Sequence, residues 1–262
     1  MPGSIRLFVT APLAAGVEIA ATAAQAHYLG TVMRRAVGEM VGLFNGRDGE
    51  WTARLATMRR GEASLVVDRM LRPQAAEPDM WLVFALLKRD ATDLVVQKAT
   101  ELGVAALWPV LTARTNAQRV NLARFHAIAI EAAEQSERLT VPSIHEPQPL
   151  SALLKTWPTG RRLFVAAERE PAPPIAAPPI VARPIVAPPI VAPPGPPPGA
   201  APPGAATTCP AALLVGPEGG FTPAELDAIR GHPLVTLVSL GPRILRAETA
   251  AIAGLARLQG AG

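Results

Sequence analysis

Hydrophobic residues are patterned in two styles along the chain. Up to residue 72, apolar residues come in short runs: Arg6-Leu-Phe-Val9, Met40-Val-Gly-Leu-Phe44, Trp51-Thr-Ala-Arg-Leu-Ala56 and Ser64-Leu-Val-Val67. Turn signals break them. Asn45-Gly-Arg-Asp-Gly49 holds both Asn-Gly and Asp-Gly, and Arg59-Arg-Gly61 marks a further turn. Short strands at this spacing predict a small β-barrel over residues 1–72. His27 to Arg35 reads as a short helix ending in two arginines, and the Pro/Ala-rich residues 73–79 read as a linker.

From Met80 the pattern changes to strand–helix alternation. Met80 to Leu87 is a continuous apolar strand. Asp90 is placed to cap a helix through Leu102, stopped by Gly103, with an apolar stripe of Ala91, Leu94, Val95, Ala99 and Leu102. Val104 to Leu111 is a strand, Asn121 starts a long helix through Arg138, and Arg162 to Ala167 is a third strand. The alternation predicts a parallel α/β domain over residues 80–262. It is interrupted at 171–206 by proline-rich pentads such as Pro-Pro-Ile-Val-Ala. Proline fixes φ and removes a donor, so this tract is expected as polyproline II or a solvent loop rather than core.

Composition narrows the function classes. The 262 residues carry 25 basic and 21 acidic side chains, for a net charge of +4. Lys88, Lys98 and Lys155 are the only lysines, so arginine dominates. Arginine binds phosphate in bidentate fashion and stacks on bases, which suits RNA. The single Cys209 excludes an internal disulfide, and His27, His126, His145 and His232 lack ligand spacing, so no metal is expected. No unbroken apolar stretch suits a membrane span, and the start lacks a secretory apolar core. A cytoplasmic location is the expectation.

The most informative chemistry lies near the end, where one pattern occurs twice. Ala211 to Val215 runs into Gly216-Pro-Glu-Gly-Gly220 and then Phe221-Thr-Pro-Ala-Glu-Leu226. Leu234 to Leu240 runs into Gly241-Pro-Arg-Ile-Leu-Arg246 and then Ala247-Glu-Thr-Ala-Ala-Ile252. Strand-to-helix loops of this kind build ligand sites at the carboxyl ends of parallel strands. Thr222, Pro223 and Glu225 supply an N-cap, a first-turn proline and a capping box. The first loop matches neither the triphosphate P-loop nor the dinucleotide Gly-x-Gly-x-x-Gly order. In the second, Arg246 either pairs with Glu248 or contacts substrate.

These two runs closely resemble the ribosomal RNA small-subunit methyltransferase E family, of the SPOUT class. Gln97-Lys-Ala-Thr-Glu-Leu-Gly-Val104, Thr112-Ala-Arg114 and Glu131-Ala-Ala-Glu-Gln-Ser136 agree with it too. The resemblance implies an amino-terminal PUA-like RNA-binding barrel and an α/β SPOUT domain with a carboxyl-terminal trefoil knot. It implies S-adenosylmethionine-dependent methylation of N3 of a uridine, numbered 1498, in 16S ribosomal RNA, as free RNA or in the assembled small subunit. It also implies a homodimer.

By the same resemblance, three loops form the cofactor pocket: Ala167 and Glu168; Val215, Gly216, Pro217, Glu218, Gly219 and Gly220; and Leu240, Gly241, Ile244, Leu245 and Arg246 with Thr249 nearby. Uridine N3 must lose a proton, so a base or a stabilising cation is required. Arg246 is the candidate cation and Glu248 the weaker candidate base. RNA contacts are expected from Arg6, Arg34 and Arg35 on the barrel, and from Lys88, Lys98, Arg114 and Arg138 beyond it. Two departures stand out. Glu137 occupies a position where the family commonly has glycine, and the proline tract replaces an ordinary connection. The alternatives are a non-catalytic RNA-binding assembly factor and a SPOUT enzyme acting on another RNA position.

Overall fold

The computed structural model describes residues 5–59, 61–115, 120–167, 172–175 and 210–259. It resolves into two compact units, residues 1–75 with 129–141 and residues 76–128 with 142–262. Most of the proline tract, Glu168 and Cys209 lie outside the described residues.

The first unit is built on a five-stranded sheet. Its strands are β1 (Arg6–Phe8), β2 (Glu18–Ala20), β3 (Met40–Phe44), β4 (Glu50–Arg59) and β5 (Glu62–Arg72), in the order β1-β3-β4-β5-β2. Strand β1 pairs with β3 in parallel, and the other pairings are antiparallel. Leu7, Leu29, Val41, Leu43, Leu55 and Leu65 pack together as its core. The helix expected from His27 starts earlier, as α1 (Ala23–His27), and continues as one π turn over Tyr28–Val32. The overlooked signal is a capping box, in which Thr22 accepts from the Gln25 amide while Gln25 accepts from Thr22.

The second unit is an all-parallel sheet. In chain order it contains β6 (Met80–Ala85), α2 (Arg89–Glu101), β7 (Ala106–Leu111), α3 (Leu122–Gln135), β8 (Ser143–Ile144), β9 (Gln148–Pro149), α4 (Leu150–Lys155), β10 (Arg162–Ala166), β11 (Ala211–Val215), α5 (Pro223–Arg230), β12 (Val235–Val238) and α6 (Ala247–Gln259). The second half of α3 belongs to the first unit. Strand order is β12-β10-β11-β6-β7-β8, with β9 also on β7. Every residue of β11 is buried, as a parallel strand covered on both faces requires. On α2 the buried side is Thr92, Val95, Val96, Ala99 and Thr100, while Leu94 is exposed. The expected stripe is therefore rotated, because two threonines join the buried face. Thr92 Oγ1 exchanges hydrogen bonds with the Leu87 backbone, and Thr100 Oγ1 donates to the Val96 carbonyl.

The chain path at the end matters for the site. Strand β12 lies outermost, beside β10, yet α6 packs on β11, β6 and α2. Residues 239–246 therefore cross the carboxyl end of β10 to reach it. Ser239 N donates to the Pro173 carbonyl at 2.8 Å and Ile175 N to the Ser239 carbonyl at 3.0 Å, so the crossing segment runs beside residues 173–175. Close approach of α6 needs Gly254, where a Cβ would stand 2.5 Å from Leu213 Cδ2.

The departure at Glu137 has a backbone cause. Its φ is +60, and Arg138 N donates to the Ala133 carbonyl at 3.2 Å. This is the six-to-one bond of a Schellman ending to α3, with Glu137 at the left-handed position that glycine favours. An L-residue there costs about 1–2 kcal/mol. Glu137→Gly should therefore stabilise the protein by about 0.5–1 kcal/mol, once glycine's extra freedom in the unfolded chain is set against the relief. The measurement is the thermal midpoint, and a lowered midpoint would contradict this account.

Candidate active site

Strand β11 ends at Val215 and the chain turns sharply into α5. Gly220 N donates to the Pro217 carbonyl at 2.8 Å, and Gly220 has φ +68, a conformation that L side chains rarely adopt. The next turn is capped on both sides. Glu225 N donates to Thr222 Oγ1 at 3.3 Å, Thr222 N donates to Glu225 Oε2 at 2.8 Å, and Pro223 occupies the first turn. The capping box expected from the sequence is formed, and it fixes where the glycine loop ends.

A cleft of about 320 Å³ opens over this loop. Ala166 and Ala167 border it from the end of β10, and Val215 to Gly220 with Phe221 and Leu226 from the β11 side. Ile244, Leu245 and Arg246 border it from the crossing segment, and Ala247 and Ala250 from α6. Arg114, just beyond β7, completes the wall. The volume falls in the roughly 300–1,000 Å³ range of small-molecule sites. The walls are mostly aliphatic or small, with Phe221 the one aromatic side chain, and Arg114, Glu218 and Arg246 the charged groups, among the described residues that border it.

The structure thus brings together most of the three expected loops. Leu240, Gly241 and Thr249 do not border the cleft, and Glu168 lies outside the described residues. The two catalytic candidates separate. Arg246 is exposed, borders the cleft, and has no side-chain hydrogen bond or ion pair to any described residue. Glu248 does not border it and forms no ion pair with Arg246 among the described residues. Ala166, Phe221, Leu226, Ala247 and Ala250 are additions that sequence reasoning missed. For Ala247 and Ala250 the available signal was their i,i+3 spacing on the first turn of α6, which faces one side of a helix.

The RNA candidates divide by burial. Arg6 and Arg138 are corrected here, since both are buried at 8% and 7% exposure. Arg6 Nε donates to Glu50 Oε1 at 2.6 Å, Nη1 to the Ala133 and Glu134 carbonyls, and Nη2 to the Arg138 carbonyl. Four of its five N–H donors are spent inside the first unit, and the group itself is buried away from phosphate. Arg138 Nη2 donates to Thr140 Oγ1 within the same unit. Arg35 pairs with Glu39 and Lys98 with Glu101 on the surface. Arg34 is exposed, Arg114 joins the cleft, and Lys88 borders a separate cavity of about 1000 Å³ beside Arg89 and Arg124.

A parallel sheet whose crossing final segment and two strand-to-helix loops enclose a ligand cleft defines a methyltransferase of the SPOUT class. Residues 75–259 match an RNA methyltransferase domain family, and residues 21–68 match an RNA methyltransferase PUA domain. The chain belongs to the ribosomal RNA small subunit methyltransferase E family. It is 30% identical over 255 residues to the Rickettsia conorii ribosomal RNA small subunit methyltransferase E, covering 97% of this chain and 94% of that one. The Bacillus subtilis relative of the same name is 28% identical, over 90% and 88%. Among solved structures, a Legionella pneumophila methyltransferase with bound cofactor SAM superposes with TM-score 0.78 at 27% identity, over 99% and 98% of the two chains. The Neisseria gonorrhoeae ribosomal RNA small subunit methyltransferase E, bound to S-adenosyl methionine, gives 0.77 at 25%, over 98% and 97%.

Proposed function

We propose that this chain transfers the methyl group of S-adenosylmethionine to N3 of a uridine in 16S ribosomal RNA, the uridine numbered 1498. The observation that carries this reading is the cleft itself: the two motif loops converge on one site bordered by the Arg246 guanidinium, which has no partner among the described residues. The residues present fit this cofactor. Small or aliphatic side chains at Ala166, Ala167, Ile244, Leu245 and Ala250 suit a flat base, and the glycine loop offers backbone groups without intervening side chains. When bound, S-adenosylmethionine supplies a methyl group on a positively charged sulfur, electrophilic without further activation. The protein's tasks are then positioning and charge. Uridine N3 loses its proton to solvent water at or before transfer, and Arg246 holds the negative charge that develops on the ring.

The same reading divides the chain into a PUA-like domain over 1–72, a linker at 73–79 and the methyltransferase domain over 80–262. It includes a trefoil knot, supported by the passage of residues 239–246 across β10, and a homodimer in the cytoplasm. Among the described residues no helix is long and apolar enough to cross a membrane.

The experiment is to incubate the purified chain with labelled S-adenosylmethionine and small ribosomal subunits or free 16S RNA, then map the label by mass spectrometry. One 3-methyluridine at the expected position is the predicted result. Label elsewhere would assign another RNA site, and cofactor binding without any label would favour a non-catalytic assembly factor. Binding to RNA should weaken linearly in log affinity against log salt, since exposed cations such as Arg34 and Lys88 release counterions. A flat dependence would remove them from the interface.

A further inference from the structure

Arg114 stands two strands away from the glycine loop in the sheet order, β11-β6-β7, yet it reaches that loop. Its Nη1 donates to the Gly219 carbonyl at 2.6 Å. Its aliphatic stem lies flat on the same glycine, where a Cβ would stand 3.2 Å from Arg114 Cδ and 3.4 Å from Cβ. One residue earlier, Ala113 N donates to Glu225 Oε1 at 2.7 Å. Glu225 is the capping-box acid, and its other oxygen accepts from Thr222 N and Thr222 Oγ1. The turn presenting these groups is itself braced, with Thr112 N donating to Thr115 Oγ1 at 2.9 Å.

We infer that Arg114 is a positioning residue for the cofactor loop, clamping Gly219 from the far side of the sheet, with Glu225 as the second point of the clamp. The physical need is plain. Gly219 and Gly220 have no side chains to pack, so between Pro217 and the Phe221 ring, which lies against Gly216, the local restraint on the loop is the turn bond from Gly220 N. A loop held only at its ends samples many conformations, and each costs affinity when one must be selected by ligand. A charge-assisted hydrogen bond to a loop carbonyl, together with the stem against Gly219, restricts that ensemble before ligand arrives. Arg114 thus acts through the loop rather than on RNA phosphate. The inference rests on the cofactor reading above only for its affinity arm.

The test starts with the ligand-free protein. Amide hydrogen exchange in peptides covering residues 216–222 should speed up roughly tenfold in Arg114→Ala, the scale of one lost charge-assisted hydrogen bond. Exchange in the β10 and β11 strands should not change. Glu225→Gln, which removes the acceptor charge shared by the cap and Ala113, should loosen the same peptides. Calorimetry with S-adenosylmethionine should show Kd raised roughly tenfold in Arg114→Ala. With labelled cofactor and small subunits, KM for the cofactor should rise while kcat at saturation stays near the parent value. RNA affinity and its salt slope should be unchanged. Unaltered exchange at 216–222 in both variants would overturn the inference with the cofactor reading intact. Weakened RNA binding, with the salt slope lowered by about one and cofactor affinity unchanged, would overturn it in favour of a phosphate contact. Failure of the parent protein to bind S-adenosylmethionine would instead sink the cofactor reading, and the exchange result would still decide the clamp.

Discussion

Arg246→Ala is expected to lower single-turnover methyl transfer on the order of 10²–10³-fold, the usual loss on removing one electrostatic stabiliser from a reacting site. Cofactor affinity should change far less. A guanidinium next to a cationic sulfonium does not hold that ligand by charge, whereas it does stabilise a uridine ring that has given up its N3 proton. Three features of the structure support this assignment: Arg246 borders the cleft, it has no protein partner among the described residues, and Glu248 stands off the cleft. Two further readouts separate the roles. The deficit should narrow as pH rises, because the N3 proton then leaves with less help. Arg246→Lys should recover part of the rate, since charge rather than a planar fork is what the ring needs. Full activity in Arg246→Ala with cofactor bound would sink the proposal, and a loss confined to cofactor affinity would make Arg246 a binding residue only.

The second large effect lies far from chemistry. Arg6→Ala should destabilise the protein by about 3–5 kcal/mol, the range for stripping one member from a buried ion pair. Arg6 and Glu50 have side chains 7% exposed, and Arg6 also lies over the Phe44 ring at 4.4 Å. Removing it leaves Glu50 with Arg72 alone, strips the Arg6 bond from the Glu134 and Arg138 carbonyls at the end of α3, and leaves the Ala133 carbonyl with the Arg138 amide. Carbonyls at a helix end have no partner within the helix, so the loss falls on groups that cannot be satisfied locally. Thermal unfolding with hydrogen exchange in β1 and residues 129–141 measures this. An unshifted midpoint, combined with an RNA salt slope lowered by about one, would restore Arg6 to the RNA interface.

Arg6 also shows where sequence reading failed. An arginine on the first strand of an RNA-binding unit looks like a phosphate contact, because charge is visible in sequence and burial is not. Its partners lie 44 to 132 residues away along the chain, and no local pattern reveals them. The contact of Arg114 with Gly219 was hidden in the same way, since it spans 105 residues. Glu137 is the converse case. The departure from glycine was legible, but the left-handed helix ending that gives it meaning was not.

What the sequence by itself determined was local or periodic. The run of β11 from Ala211 to Val215, the capping box at Thr222 and Glu225, and the two glycine loops are each written within a dozen residues. Their physics is short-range: strand burial, cap hydrogen bonds and the φ that glycine allows. Only the tertiary structure decided which charges face the cleft and which serve the interior. That choice depends on chain crossings and strand order, which bring Arg114, Gly219 and Arg246 to one cleft and bury Arg6 beneath the end of α3. Desolvation and hydrogen-bond supply set a cation's role, and both are properties of the packed molecule.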